Sequence, residues 1–197
     1  MAKVLNGFTA NTATNLQLDA GIIVRGLSDP SKFAGTITGP AKTIGATTGG
    51  STFTAIPTFR NLFEDLDGAR GVYKNGEVID TWDIKLTCTF KEMTAENLKL
   101  ALAAADTVQS DEKFDVTSAR MEVKEEDYLE NICFIGTMNG KDDPVIVELK
   151  NVLNTNGLNL TVQDKGTGSV SLELVAHFDL AKPDEVPFKI YTPKATA

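Results

Sequence analysis

The side chains that carry most enzyme chemistry are scarce in this 197-residue sequence: one histidine, His177, and two cysteines, Cys88 and Cys133. A Ser-His-Asp triad has to use His177. Asp179, two residues on, shares its face of an alternating segment, but nothing nearby has the form of a nucleophile elbow, and the pair reads as a polar contact. Glu64, Asp65 and Asp67 before Gly68 have the start of a calcium loop without its third ligand position or closing glutamate. Gly45–Ser51 is glycine-rich, yet no lysine precedes Ser51, so it is not a phosphate-binding loop. Asn159-Leu160-Thr161 is a glycosylation sequon, which has meaning only behind a secretory signal, and Met1–Asn6 lacks the apolar stretch of one. Two cysteines make neither a disulfide framework nor a four-cysteine metal site, and a single histidine excludes most histidine-based metal sites. Both cysteines fall on strand-like segments and read as reduced, partly buried thiols. The sequence predicts no enzyme, no metal and no cofactor.

The elements that carry these residues are mostly strands. Trp82, Ile84, Leu86, Cys88 and Phe90 alternate with Asp83, Lys85, Thr87, Thr89 and Lys91, as in a half-buried antiparallel strand. The same period runs through Leu16–Arg25, Ala119–Val123 and Val170–Asp179. Asn131–Met138 and Val145–Val152 are further strands flanking a loop that begins Asn139-Gly140 and ends at Pro144, and Gly166-Thr167-Gly168 marks another break. One helix is predicted: Thr94 caps it, Glu96 sits in its first turn, and Leu98, Ala101, Leu102 and Ala105 form one apolar stripe over about three turns. The expected fold is α+β but predominantly β: two packed antiparallel sheets, as a sandwich or barrel, flanked by one helix.

The length suits a single domain spanning 1–197, and by surface scaling folding buries roughly 70% of the unfolded surface. No apolar run approaches the ~18 residues of a membrane span, and the expectation is a soluble intracellular chain. Its net charge of -8 disfavours a protein that grips nucleic acid through phosphates. The charge is uneven: residues 1–60 hold five basic and two acidic side chains, and residues 106–130 hold nine acidic and three basic. The acidic run reads first as a solvated acidic face; the alternative is that a basic end and an acidic end of neighbouring copies attract head to tail. Residues 28–77 read as containing extended loop segments, rich in Gly, Thr and Ser over 28–52 and in turn signals over 61–77, and 183–197 as a C-terminal arm. Phe33, Ile37, Phe53, Ile56, Phe59, Leu62 and Phe63, and in the C-terminal arm Val186, Phe188, Ile190 and Tyr191, are apolar residues without an obvious home, as expected of arms that dock on another copy or another protein, or that fold back over their own sheet.

From Gly45-Ala46-Thr47-Thr48-Gly49-Gly50-Ser51-Thr52-Phe53, through Pro57, Asp67-Gly68-Ala69-Arg70-Gly71 and Val78-Ile79-Asp80-Thr81-Trp82, to the helix at Thr94–Leu102, the succession of segments is similar to the major tail proteins, or tail tube proteins, of long-tailed bacteriophages and related prophages. The resemblance covers about residues 16–105, with the remainder matched by strand pattern only. It implies six copies in a ring, rings stacked into a hollow tube for DNA ejection, and four strands per copy in a lumen barrel. It also implies assembly in the host bacterial cytoplasm into a virion tail, with tape measure, tail terminator and distal tail proteins as partners and double-stranded DNA passing without specific binding. Carried onto this sequence, the subunit-interface candidates are Gly49, Gly50, Phe53, Ile56, Phe59, Asp67, Arg70, Phe188 and Tyr191. Deletion of Ile44–Thr54 is then expected to leave a folded monomer that does not polymerise. The polar-face candidates for the lumen are Asp83, Lys85, Thr87, Glu148 and Lys150. A tube protein of a contractile or secretion-type injection system shares this architecture. A monomeric β-sandwich binding module is a further alternative, for which one Trp and three Tyr supply little of an aromatic platform.

Overall fold

A computed structural model describes residues 7, 9, 12–109 and 113–194; Met1–Asn6, the acidic Asp111 and Glu112, and the end of the C-terminal arm at Ala195–Ala197 lie outside the described residues. In chain order the elements are β1 (Gln17–Arg25), β2 (Lys42–Thr43), β3 (Thr47–Asn61), β4 (Glu77–Phe90), α1 (Ala95–Leu102), β5 (Ala105–Gln109), β6 (Asp115–Ala119), β7 (Leu129–Met138), β8 (Val145–Asn154), β9 (Asn159–Thr161), β10 (Ser169–Ala176) and β11 (Phe188–Tyr191). The molecule is predominantly β with one helix, as the alternation predicts. Nine strands form one antiparallel sheet in the order β2-β1-β7-β8-β10-β4-β3, with β11 added to β8 and β9 to β10, while β5 and β6 form a separate ribbon.

The sheet forks at β8. One edge of β8 bonds β11 along Ile146–Leu149 and then β10 along Val152–Asn154. At the fork Asn151 has φ +51°, and beyond it Val152 faces the same core as Val147 and Leu149. Such a switch of side-chain parity bends a strand. One limb therefore runs β2-β1-β7-β8-β11 and the other β9-β10-β4-β3. Side chains of both limbs meet in one core of Ile23, Ile84, Leu86, Phe90, Ile132, Leu149, Leu172 and Leu174. Phe188 of β11 reaches over to Phe53 and Trp82, with ring centroids 5.6 and 5.8 Å apart.

The far ends of the two limbs are joined by three residues, Ile44–Ala46. Ile44 N–H donates to Ile23 O at 3.0 Å, and Ala46 O accepts from Lys91 N–H at 2.8 Å. Glu92 accepts from Ala46 N–H at 2.8 Å, and buried Asn97 donates to both Ile44 O and Glu92 O. This polar staple fixes the crossover to the start of α1, whose cap Thr94 accepts from Asn97 N–H at 3.2 Å. The helix is shorter than its apolar stripe predicts. Ala103 takes φ +64° and ends it at Leu102, so Ala105 begins β5 instead of extending the stripe.

Several segments read as arms are integral to the fold. Thr47–Asn61 is a fifteen-residue strand, not a loop, and Ile44 within the Ile44–Thr54 segment is a core residue; deleting that segment removes core and crossover together. Phe33 and Ile37 fold back over the outer face of β1-β7-β8, on a second cluster of Val24, Cys133, Ile135 and Ile146. With core on both faces, β7 and β8 are buried over nearly continuous stretches. The C-terminal arm folds back as well, placing Val186 and Phe188 on the main core and Tyr191 on the second. Alternation over Ala119–Val123 does not become a strand: β6 ends at Ala119, and Met121 and Val123 are exposed.

Candidate assembly surfaces

The limb β9-β10-β4-β3 has an inner face of alternating core residues and an outer face of hydroxyls and charges. Its register lines up Thr48-Thr89-Ser171, Thr52-Thr87-Glu173 and Thr54-Lys85-Val175 across three strands. Thr89 and Ser171 hydroxyls lie 3.3 Å apart, Thr87 Oγ1 donates to Thr52 O at 3.4 Å, and Lys85 pairs with Asp83 at 3.3 Å. Asp83, Lys85 and Thr87 thus share the face that the alternation assigns them. Glu148 and Lys150 do not join them, because they belong to the other limb. Glu148 is only 5% exposed, takes a hydrogen bond from Tyr191 Oη at 2.9 Å, and lies 3.3 Å from Asn131 Nδ2. Burial, and then this carboxylate, push the Tyr191 phenol up to about 12, which keeps it the donor. Lys150 pairs with Glu185 at 3.1 Å, and that bond raises its pKa. Both line a polar cavity of about 310 Å³ with Asp179, Lys182 and Glu185.

Both edges of the limb are open. Among the described residues no strand pairs with the outer edge of β3 or of β9. Native monomers blunt such edges with charges, short strands or cover. Across its fifteen residues β3 carries one charged side chain, Arg60, and that is neutralised by Asp80 at 3.1 Å. Gly49 and Gly50, with φ of +76° and +79°, form a bulge between Thr48 and Ser51, and an added Cβ there meets nothing within 4 Å. Backbone conformation, not crowding, selects glycine at this pair.

Beyond Trp82 the β3-β4 hairpin leaves the body, and its residues are exposed on both faces. Ile56 is 54% and Phe59 55% exposed, Phe59 lies opposite Ile79, and Leu62, Leu66, Val72, Tyr73 and Val78 continue the apolar surface. The tip at 62–76 is ordered: Gly76 O accepts from Leu62 N–H at 2.7 Å, and the Phe63 and Tyr73 rings meet edge-on at 5.8 Å. Asp67 and Arg70 are exposed there, Arg70 N–H donating to Tyr73 Oη at 3.2 Å. Of the interface candidates, Ile56, Phe59, Asp67 and Arg70 belong to one projecting element, and the Gly49-Gly50 bulge lies at the opposite end of β3, beside Cys88 and Thr89. Phe53 and Phe188 pack within the chain, where β11 and the hairpin base meet, and Tyr191 packs on the second cluster and donates to Glu148. Val78 and Ile79 escape sequence reasoning because a hairpin solvated on both faces has no period to detect.

Among the described residues, the basic side chains of the first sixty are paired within the chain. Arg25 and Lys42 both engage Glu96, whose pKa is held down by Lys42 and then Arg25, while Lys32 pairs with Asp29 at 2.9 Å. In the acidic stretch Arg120 joins Asp106 at 2.9 Å to a fully buried Asp127 carboxylate at 2.6 Å. Burial alone would raise the Asp127 pKa; Lys124 N–H and Arg120 more than offset it, leaving it lowered. That triad, missed in the sequence because its members are 21 residues apart, holds the connector between the β5-β6 ribbon and β7. His177 does not engage Asp179. It is half-buried, its Nδ1 is 3.1 Å from Asn151 O, and its ring meets Tyr128 edge-on. Cys88 and Cys133 are buried free thiols, pushed up to about 11 and about 12 by burial, with Glu148 adding to Cys133. Among the described residues no group of side chains is arranged to hold a metal, and no helix is long and apolar enough to cross a membrane. Compared with known proteins, the chain matches no family model and no curated sequence.

Proposed function

We propose that this chain is a structural tail tube protein, assembling as six-membered rings stacked into the hollow conduit through which a long-tailed bacteriophage ejects DNA. The observation that carries the reading is the four-stranded limb β9-β10-β4-β3, polar outside and open at both edges. Under this reading the two facing limbs are the sandwich of the tail tube fold. The β3 edge of one copy joins the β9 edge of the next in a heterologous contact of the kind that closes rings. Six such limbs give a barrel of about 24 strands, and spacing near 4.8 Å with a tilt near 40° sets its backbone diameter at roughly 48 Å. After side chains, this leaves room for a duplex about 20 Å across. The face turned to the lumen carries Asp83 and Glu173 against Lys85 and Lys91, a balance that does not hold a polyanion by counterion release.

The hairpin supplies the contact between rings. A fourteen-residue β4 is about 48 Å long, or about 37 Å along a tube axis at that tilt, and its outer part carries the exposed apolar residues. Tape measure, terminator and distal tail proteins are the partners this role implies. Negative-stain electron microscopy with sedimentation, on dilute and then concentrated protein, tests the proposal. Hollow tubes or six-fold rings are the expected result; a monomer at every concentration, with no response to added preformed tail tips, overturns it.

A further inference from the structure

Four Asn-Gly pairs occur in the chain: Asn6-Gly7, Asn75-Gly76, Asn139-Gly140 and Asn156-Gly157. An asparagine followed by glycine is the sequence most open to spontaneous deamidation, because no Cβ shields the following nitrogen. Three pairs lie wholly within the described residues, and the fold treats them differently. At Asn75 the reacting nitrogen is occupied: Gly76 N–H donates to Tyr73 O at 2.9 Å, and the glycine is buried so close to Phe63 that an added Cβ would come within 2.5 Å of the ring. At Asn139 the amide is occupied: Nδ2 donates to Ala13 O at 2.8 Å, and the residue's own N–H donates to Leu16 O at 3.0 Å. Asn156 has neither restraint. It is exposed in the loop between β8 and β9, and among the described residues neither its side chain nor Gly157 N–H has a hydrogen-bond partner. Gly157 has φ +68° with nothing within 4 Å of an added Cβ.

We propose that Asn156 is the preferred deamidation site among these pairs in the folded protein. The Gly157 nitrogen attacks Asn156 Cγ; the N–Cγ bond forms, the Cγ–Nδ2 bond breaks, and ammonia leaves with the glycine amide proton. Water then opens the resulting succinimide at one of its two carbonyls, giving aspartate or isoaspartate, so the net change is one water taken up and one ammonia released. The product places a new carboxylate in the groove lined by Asn156, Glu173, Gly49 and Gly50, beside an existing acid. An isoaspartate also lengthens the main chain that leads from β8 into β9.

The test is incubation of the full-length native protein at mildly alkaline pH, followed by peptide mapping with isoaspartate labelling. The gain of about one mass unit is expected at least about tenfold more often at Asn156 than at Asn75 or Asn139. In strong denaturant the three sites are expected to converge, since the selectivity comes from the fold. Asn156→Gln removes the signal while leaving the circular dichroism unchanged. Equal rates at the three sites in the native state, no modification at Asn156, or a preference that persists in denaturant each overturns the proposal.

Discussion

A single guanidinium shows how residues in this molecule are committed to holding it together. Arg120 is largely buried between Asp106 and Asp127, and also donates to Glu122 O at 2.9 Å. Replacing Asp127 by alanine leaves that cation with one of its two carboxylates, and is expected to cost on the order of 3 kcal/mol in urea unfolding. Asp127, Glu96 and Glu185 all have lowered pKa values. Their ion pairs therefore stabilise the fold fully above the unfolded carboxylate range, near about 4, and that stabilisation is lost as pH falls through the native values below it. The difference in stability between the protein and Asp127→Asn is expected to be greatest at neutral pH and to shrink in acid; a constant difference down to about pH 2 contradicts this assignment.

At the scale of elements, the open β3 edge makes the sharpest prediction. Lysines at Thr52 and Thr58, both exposed, should change monomer stability by no more than about 0.5 kcal/mol each while charging the edge. Unchanged melting with loss of pelletable assemblies is the expected outcome, and unaltered pelleting shows that the edge is not used. Elements were legible in the sequence where one face is buried and the other wet. The second half of β4 and all of β10 alternate strictly for that reason. β3 is hard to read because its Thr and Gly residues resemble a loop and the ring that Phe53 meets, Phe188, lies 135 residues on. The helix end was misread because Ala103 adopts a backbone conformation unusual for alanine, which composition does not reveal. The same cause hid which apolar residues are free: Phe53 looks unhoused from sequence only because its neighbour Phe188 is distant, while Ile56 and Phe59, a few residues on, really are exposed.

For the whole molecule, net charge says little about which charges are free. The described basic residues of the first sixty are each paired within the chain, to Asp29, Asp80 or Glu96. Assembly through strand edges and apolar hairpins is then expected to change less than about twofold between about 0.05 and 0.5 M salt, by light scattering. A steep loss of assembly with salt would restore the head-to-tail charge contact that the acidic and basic ends suggest. The fork at β8 has a further consequence, in time. It closes late in the chain: Phe188 of β11 pairs Leu149 from 39 positions on and follows every other strand, while across the same limb Leu27 N–H donates to Asn131 Oδ1 of β7 over 104 positions. Contacts this distant close late and slowly. The hairpin is local and can form early, so its apolar surface and bare edge are present while the body is still open, the interval in which a chain is most exposed to wrong partners.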